Sequence, residues 1–132
     1  MNNQALNKNL IERVAMGDLL RRRSRDSASQ TAIVDFPDGE RRATSYGELN
    51  NRVNQLAHGL VEKGLKQGDK LALFSSNQRD MLTVYFACYK LGVVAVPINF
   101  MQGVDDVRYN LEHSETAAII HEAMFSDMVH AC

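Results

Sequence analysis

At 132 residues, with apolar residues at 45% and charged residues at 23%, the chain has the size and make-up of one globular unit able to bury a core. Its 8 glycines and 2 prolines exclude collagen-like and low-complexity chains, and the apolar content excludes a disordered one. Lys and Arg number 15 against 16 Asp and Glu, a net charge of -1, so whole-chain electrostatics favour neither nucleic acid nor an anionic membrane.

No apolar run approaches the roughly 18 residues of a transmembrane segment, and the polar opening lacks the apolar centre of a signal peptide, which points to a cytoplasmic protein. Cys88 and Cys132 have no Cys or His at ligand spacing, so neither zinc nor a disulfide framework is indicated.

Ile11, Val14, Ala15, Leu19 and Leu20 keep helical spacing over Ile11 to Arg25, with Arg21, Arg22, Arg23 and Arg25 at the far end. Cations near a helix C-terminus are favoured by the macrodipole, which accounts for the arginines without phosphate or nucleic acid. A polar connector, Ser24 to Gln30, follows. Thr31 to Phe36 and Glu40 to Thr44 then flank the turn tripeptide Pro37-Asp38-Gly39 and predict a β-hairpin.

Ser45-Tyr46-Gly47-Glu48 has the S-x-x-E form of a capping box, so a helix begins at Tyr46. Leu49, Val53, Leu56, Ala57, Leu60 and Val61 mark its buried stripe, and Gly64 its left-handed end. His58 falls off the stripe and reads as solvated rather than catalytic. Gln67-Gly68-Asp69 is a turn.

Beyond it come an apolar run Leu71 to Phe74, a helix Gln78 to Leu91, a run Val93 to Val96, a helix Val104 to Glu112 and a run Ala117 to Ile120. This β-α-β-α-β order predicts an α/β fold: a partial parallel sheet with right-handed helical crossovers, preceded by the hairpin. The runs lack alternation, so all three strands are expected to be buried on both faces. The middle helix is apolar almost all round and is expected between the sheet and another layer. Cys88 shares a stripe there with Met81, Val84, Tyr85 and Leu91, which makes packing its role.

Phe125, Met128 and Val129 start a further helix that nothing caps before Cys132. The chain thus reads as one subdomain over 1–132: helix and connector to 30, hairpin over 31–45, and the remainder from 46. Its sheet has unpaired edges and a helix face without a partner, the mark of a piece of something larger or of a chain completed by a second copy.

Signatures of chemistry are scarce. There is no G-x-x-x-x-G-K-[ST], no G-x-G-x-x-G and no Gly-rich Ser/Thr loop, so nucleotide phosphates have no recognisable cradle. His113, His121 and His130 share no helical face, and no G-x-S-x-G marks a nucleophile. Asp105-Asp106 sits in a first helical turn, where the dipole explains it. In open parallel sheets ligands bind beyond the carboxyl ends of the strands, which leaves three loops: Ser75-Ser76-Asn77, Ile98-Asn99-Phe100 and His121-Glu122. Ser75, Asn77, Asn99 and His121 are the substrate-side candidates. The competing local explanation is that Ser76 or Asn77 caps the next helix and Asn99 satisfies turn backbone.

The ordered series of segments is specific where each alone is not. It runs through Thr44-Ser45-Tyr46-Gly47-Glu48-Leu49, Leu56-Ala57 with Leu60, the Gly64 to Asp69 turn, and Leu71-Ala72-Leu73-Phe74-Ser75-Ser76-Asn77. It continues with Ala87 to Asn99 and with Asp106-Val107-Arg108-Tyr109-Asn110-Leu111 and Ser114. This series resembles the N-terminal part of the adenylate-forming enzymes, the superfamily of acyl-CoA synthetases, luciferases and peptide-synthetase adenylation domains. Pro97-Ile98-Asn99-Phe100-Met101 and His113-Ser114-Glu115 look most like bacterial fatty-acid and related acyl-CoA ligases.

The resemblance implies a two-step reaction in which a carboxylic acid, here a fatty acid, and ATP give an acyl-adenylate and pyrophosphate, and CoA then displaces AMP. ATP, Mg²⁺ and CoA are the full-length family member's cofactors. The family's phosphate loop, ribose-binding acid and C-terminal lysine come later in its sequence and have no counterpart here. The resemblance therefore carries over no catalytic, cofactor-binding or metal residue, and implies a chain inactive alone that binds none of these cofactors tightly. The matched residues read as structural: Ser45 and Glu48 cap a helix, Gly64, Gly68 and Gly92 permit tight backbone, Pro97 stops a strand and Asn99 fixes the turn beyond it. Self-association through exposed apolar surface is expected. The alternatives are a truncated acyl-ligand-binding or subunit-interaction module without catalysis, and an unrelated flavodoxin-like domain with a complete sheet.

Overall fold

Alternate side chains of Lys70–Phe74 enter two different cores, and the rest of the chain is layered around that strand. The computed structural model describes residues 15–76 and 78–132. In order these form α1 (Met16–Asp26), β1 (Thr31–Asp35), a 3-10 turn (Pro37–Gly39), β2 (Arg42–Ser45), α2 (Tyr46–Glu62) and β3 (Lys70–Phe74). There follow α3 (Arg79–Leu91), β4 (Val94–Ile98), α4 (Val104–Ser114), β5 (Ala118–His121), a second 3-10 turn (Ala123–Phe125) and α5 (Ser126–His130). The fold is α/β, as the alternation of segments requires.

β1 and β2 pair antiparallel as a separate two-stranded sheet, with Ile33 opposite Thr44 and an irregularity between Thr31 and Ile33. The other three strands form a parallel sheet in the order β4-β3-β5. Leu71 and Leu73 face a core shared with Leu20 of α1, Leu49, Val53 and Leu60 of α2, and Val84 and Cys88 of α3. Ala72 and Phe74 face the opposite core, with Ile98, Val107 of α4 and Phe125. Two consecutive crossovers thus run on opposite faces, as right-handed connections demand when the chain moves first to one side of β3 and then to the other.

The helix boundaries follow local chemistry. Ser45 Oγ accepts from the Glu48 amide at 3.2 Å while Glu48 Oε2 accepts from the Ser45 amide at 2.8 Å, the reciprocal capping box expected at the start of α2. Hydrogen bonding by Ser45 holds the Glu48 carboxyl below the usual glutamate range. At the other end Gly64 takes φ +94°, its amide bonds the Val61 carbonyl at 2.9 Å, and Leu65 bonds Leu60 at 3.1 Å. Gly92 ends α3 in the same left-handed region.

Several expectations need correction. The first helix is described only from Met16, and Ile11 and Val14 lie outside the described residues; it continues through Ser24 to Asp26. Val61 is 53% exposed, because it lies one residue, or about 100°, past Leu60 at the margin of the stripe. Only β3 is buried on both faces; β4 and β5, at the sheet's two edges, are half-buried or exposed along most of their length. Val93 precedes β4 rather than opening it, and β5 runs on to His121. Pro97 does not stop a strand: it pairs with Leu73 inside β4. The Val94 amide bonds Asp69 toward β3, so by the period-two rule Pro97 turns its donor-less nitrogen outward, where no bond is lost. The final helix is broken into a 3-10 turn and the five-residue α5.

α3 lies between the sheet and the pair α1 and α2, the sandwiched position expected of it. Beside the apolar core it shares with α2, a polar contact joins the two helices: Lys90 Nζ donates to Asn50 Oδ1 at 3.0 Å and to Asn54 Oδ1. Burial, with Arg21 nearby, lowers the Lys90 pKa. Its link to α1 is backbone on backbone at Gly17. A Cβ on Gly17 would stand 2.9 Å from Lys90 Cα and 2.9 Å from the Tyr89 carbonyl oxygen, neither of which can swing away.

This contrast sets the sign of two glycine substitutions in urea denaturation followed by circular dichroism. Gly59, inside α2, has open space where a Cβ would go, so Gly59→Ala should stabilise by about 0.5–1 kcal/mol through helix propensity. Gly17→Ala, in the first turn of α1, also favours the helix but should nonetheless lower the urea midpoint. A rise at Gly17 would mean that α1 does not pack against α3 as described.

Candidate functional site

After β3 the chain turns onto the α3 face, whereas after β5 it turns toward α4 and α5 on the other face. β3 and β5 are neighbours, with Phe74 opposite His121, so the segments leaving them part at a topological switch point, the place at which open parallel sheets form a crevice. Ser75, Ser76 and Gln78 border it from one strand end, and His121 and Glu122 from the other.

Glu122 is the hub of this crevice. Its Oε1 accepts from Ser75 Oγ at 2.7 Å, from Ser76 Oγ at 2.7 Å and from the Ser76 amide at 2.5 Å. Its Oε2 accepts from Gln78 Nε2 at 2.9 Å, and Gln78 Nε2 also reaches Ser76 Oγ at 3.0 Å. Burial alone would raise the Glu122 pKa, but the bonds from Ser76 and Ser75 outweigh it, and the carboxyl titrates below the usual glutamate range. The Glu122 carbonyl in turn accepts from His121 Nδ1 at 2.9 Å and from the Phe125 amide at 2.9 Å. His121 is therefore held with its proton on Nδ1, half-buried at the last position of β5.

The chemistry of this arrangement is specific. A carboxylate kept ionised by four donors is neither a general acid at neutral pH nor a base of raised pKa, and the two hydroxyls bond it directly with no imidazole between. The donors facing the crevice already bind a negative charge supplied by the chain itself. These residues do not fit a phosphate group. Their effect is to tie the β3–α3 segment to the end of β5.

The structure brings Ser75 and His121 to this crevice, through their shared neighbour Glu122. Asn77 lies outside the described residues. Asn99 is exposed beyond β4, and its Oδ1 accepts from the Met101 amide at 3.0 Å, which occupies it in an Asx turn. Ser76 does not cap α3: the N-cap is Gln78, without a side-chain cap bond, and the Ser76 hydroxyl goes to Glu122. Cys88 is fully buried, and burial pushes its thiol up to about 11, which leaves it inert. His58 is exposed on α2. Among the described residues no group of three or more His, Cys, Asp or Glu side chains is placed to hold a metal ion.

A second polar cleft lies between β2, α2 and α3, lined by Arg42, Thr44, Glu48, Arg52 and Arg79. Its arginines face acids: Arg42 pairs with Asp35, Arg52 with Asp80 at 2.7 Å, and Arg79 with Asp80 at 3.4 Å. The Arg42 hydrogen bond lowers the Asp35 pKa. This cleft is a charge-balanced seam.

Because the Glu122 pKa is lower folded than unfolded, its contribution to stability is present above the ordinary glutamate pKa, about 4.3, and is lost as pH falls through the folded value. Glu122→Gln should therefore lower the urea midpoint at pH 7 and speed hydrogen exchange of the Ser76 amide. The wild-type and variant midpoints should converge as pH falls below the ordinary value. A constant difference between them across the pH range would remove the ionised carboxylate from this role.

The chain is 32% identical over 85 residues to a medium/long-chain-fatty-acid–CoA/3-oxocholest-4-en-26-oate–CoA ligase of Mycolicibacterium smegmatis, covering 64% of this chain and 15% of the relative. It is 36% identical over 110 residues to a feruloyl-CoA synthase of an Amycolatopsis species, covering 83% of this chain and 22% of the relative. The chain thus spans less than a quarter of the length of these curated relatives. Its fold matches the inhibitor-bound N-terminal domain of FACL13 from Mycobacterium tuberculosis with a TM-score of 0.82 and 29% identity, over 89% of this chain and 29% of that one. It matches a benzoate CoA ligase of Burkholderia xenovorans LB400 with a TM-score of 0.81 and 25% identity, over 90% of this chain and 24% of that one. Residues 20–131 also fit the family model described as AMP-binding enzyme, and since that stretch contains both cores and the crevice between β3 and β5, the chain belongs to the AMP-binding enzyme family.

Proposed function

We propose that this chain is the N-terminal subdomain of an AMP-forming acyl-CoA synthetase acting on a fatty acid, a single unit over 1–132 in a cytoplasmic enzyme, and that it is inactive alone. The observation that supports this reading is the span of the match. Nearly the whole chain fits the family, and the similar proteins named as CoA ligases extend several times further. In the parent reaction a carboxylate oxygen attacks the α-phosphorus of ATP, pyrophosphate leaves, and the CoA thiol then displaces AMP from the acyl-adenylate.

ATP phosphates and Mg²⁺ do not fit the crevice: its donors bind Glu122, and among the described residues no acidic cluster is placed for a metal. No step of the reaction is assigned to them. This chain's part is architectural, with Ser75 and His121 shaping the substrate side of the crevice rather than making or breaking bonds. No helix of the described residues is long and apolar enough to cross a membrane.

The reading is tested by ATP–pyrophosphate exchange over a panel of fatty and aromatic acids. The purified 132-residue chain should give no acid-dependent exchange, and a chain of the relatives' full length built on it should exchange with fatty acids. Exchange by the short chain would overturn its inactivity, and none by the long one would overturn the ligase reading.

Exposed apolar side chains add a second expectation. Met101 is 81% exposed, Met124 75% and Phe100 38%, all beyond the carboxyl ends of the strands, and they present an apolar surface to any partner. The chain should sediment as a dimer or larger species at micromolar concentration, and Met101→Lys with Met124→Lys should shift it toward monomer. A wild-type monomer across the concentration range would count against this surface as an interface.

A further inference from the structure

The arginine run of α1 and the groove beside it take no part in the crevice. The groove is open, about 420 Å³ in volume, and walled by Met16 and Leu19 of α1, Ile33 of β1, and Leu82 and Phe86 of α3. That volume falls within the range of small-molecule sites. Met16 is 51% exposed, Leu82 41% and Leu19 40%, so three of its lining side chains are apolar and left in contact with water. Arg23 also lines it, and among the described residues that do so it is the charged one.

Leu19 and Arg23 are four residues apart on α1 and so share a face. The two acids of α1 stand with other arginines, Asp18 with Arg21 at 3.2 Å and Asp26 with Arg25 at 3.3 Å. A trough of methyl, methylene and ring carbon with a guanidinium in its lining has a definite chemical complement. A free phosphate or a nucleic acid would leave the apolar walls wet, and a neutral lipid would make no use of the exposed Arg23 guanidinium. A single acyl chain ending in a carboxylate satisfies both.

We propose that the groove between α1, β1 and α3 binds a long-chain carboxylate, its tail along Met16, Leu19 and Leu82 and its head group on Arg23. The site is separate from the β3–β5 crevice and does not rest on the ligase reading: failure of pyrophosphate exchange would leave it untouched, and its own failure would leave the family assignment intact.

The experiment is a methyl NMR titration of the 132-residue chain with sodium decanoate, kept below its micelle concentration, and with decan-1-ol. Decanoate should shift the Met16, Leu19 and Leu82 methyl signals saturably. Arg23→Gln should weaken decanoate up to about fivefold, the upper end for an exposed ion pair, and leave decanol unchanged. Arg23→Lys, which keeps the charge, should retain most of the affinity, and Leu82→Glu should abolish binding of both probes. Melting curves report whether each variant is folded, and the wild-type decanoate against decanol comparison stands without any variant. Equal affinity for the two probes, or a decanoate affinity indifferent to Arg23→Gln, would overturn the proposal. So would shifts confined to other methyls, shifts seen only above the micelle concentration or only with phosphatidylglycerol vesicles, and ligand-free shifts of the Met16, Leu19 and Leu82 methyls that track protein concentration and so mark a second copy in the groove.

Discussion

The constraint on which the structure depends is the two-sided burial of β3. Leu71, Ala72, Leu73 and Phe74 are each 0–2% exposed, and they alternate between the core under α1, α2 and α3 and the core under α4 and α5. Burying a large apolar side chain is worth about 1.5–3 kcal/mol, while a whole domain is stable by about 5–15 kcal/mol. Three such side chains on one strand therefore amount to a large part of any net stability. Neither layer can form on β3 without presenting the other face of the strand to water, so the two cores are coupled through one backbone segment.

The crevice is a consequence of the same strand. A parallel neighbour on each side of β3, reached by crossovers on opposite faces, forces the chain to part at the carboxyl end. The register that sets Phe74 beside His121 brings Ser75 and Ser76 within reach of Glu122. What is notable is the sign of the charge there. The donors at the start of a helix would suit an external anion, but here the carboxylate is part of the chain, and the two segments that diverge at the switch point are held together instead of left open.

How much of this is legible in the sequence depends on the range of the interaction. The capping box at Ser45 and the left-handed ends at Gly64 and Gly92 are read correctly, because their physics is complete within about six residues. The β-α-β-α-β order is likewise written in the local periodicity. Burial is less legible: Leu71 to Phe74 and Ala117 to Ile120 look alike as apolar runs, and only the strand order decides which is central. Pro97 misleads for the same reason, since a proline inside a strand is admissible only at an edge. Of the site, sequence reasoning finds the loops but not the hub. Ser75, Asn99 and His121 stand out by residue type, while Glu122 is unremarkable until a partner 46 residues away is brought beside it. An acid directly after an apolar strand, facing a Ser-Ser pair after the neighbouring one, is the signal that was available.

The outward turn of Pro97 gives the parallel sheet a polarity across its strands. In β4 the residues facing away from β3 are Ala95 and Pro97, so that edge offers a single amide donor; in β5 the outward residues are Ala118 and Ile120, and both offer one. An additional strand laid against β4 would meet a gap in the ladder, whereas one laid against β5 would find the full hydrogen-bond pattern. The two edges of this sheet are thereby unequal in donors, and a single imino acid makes them so.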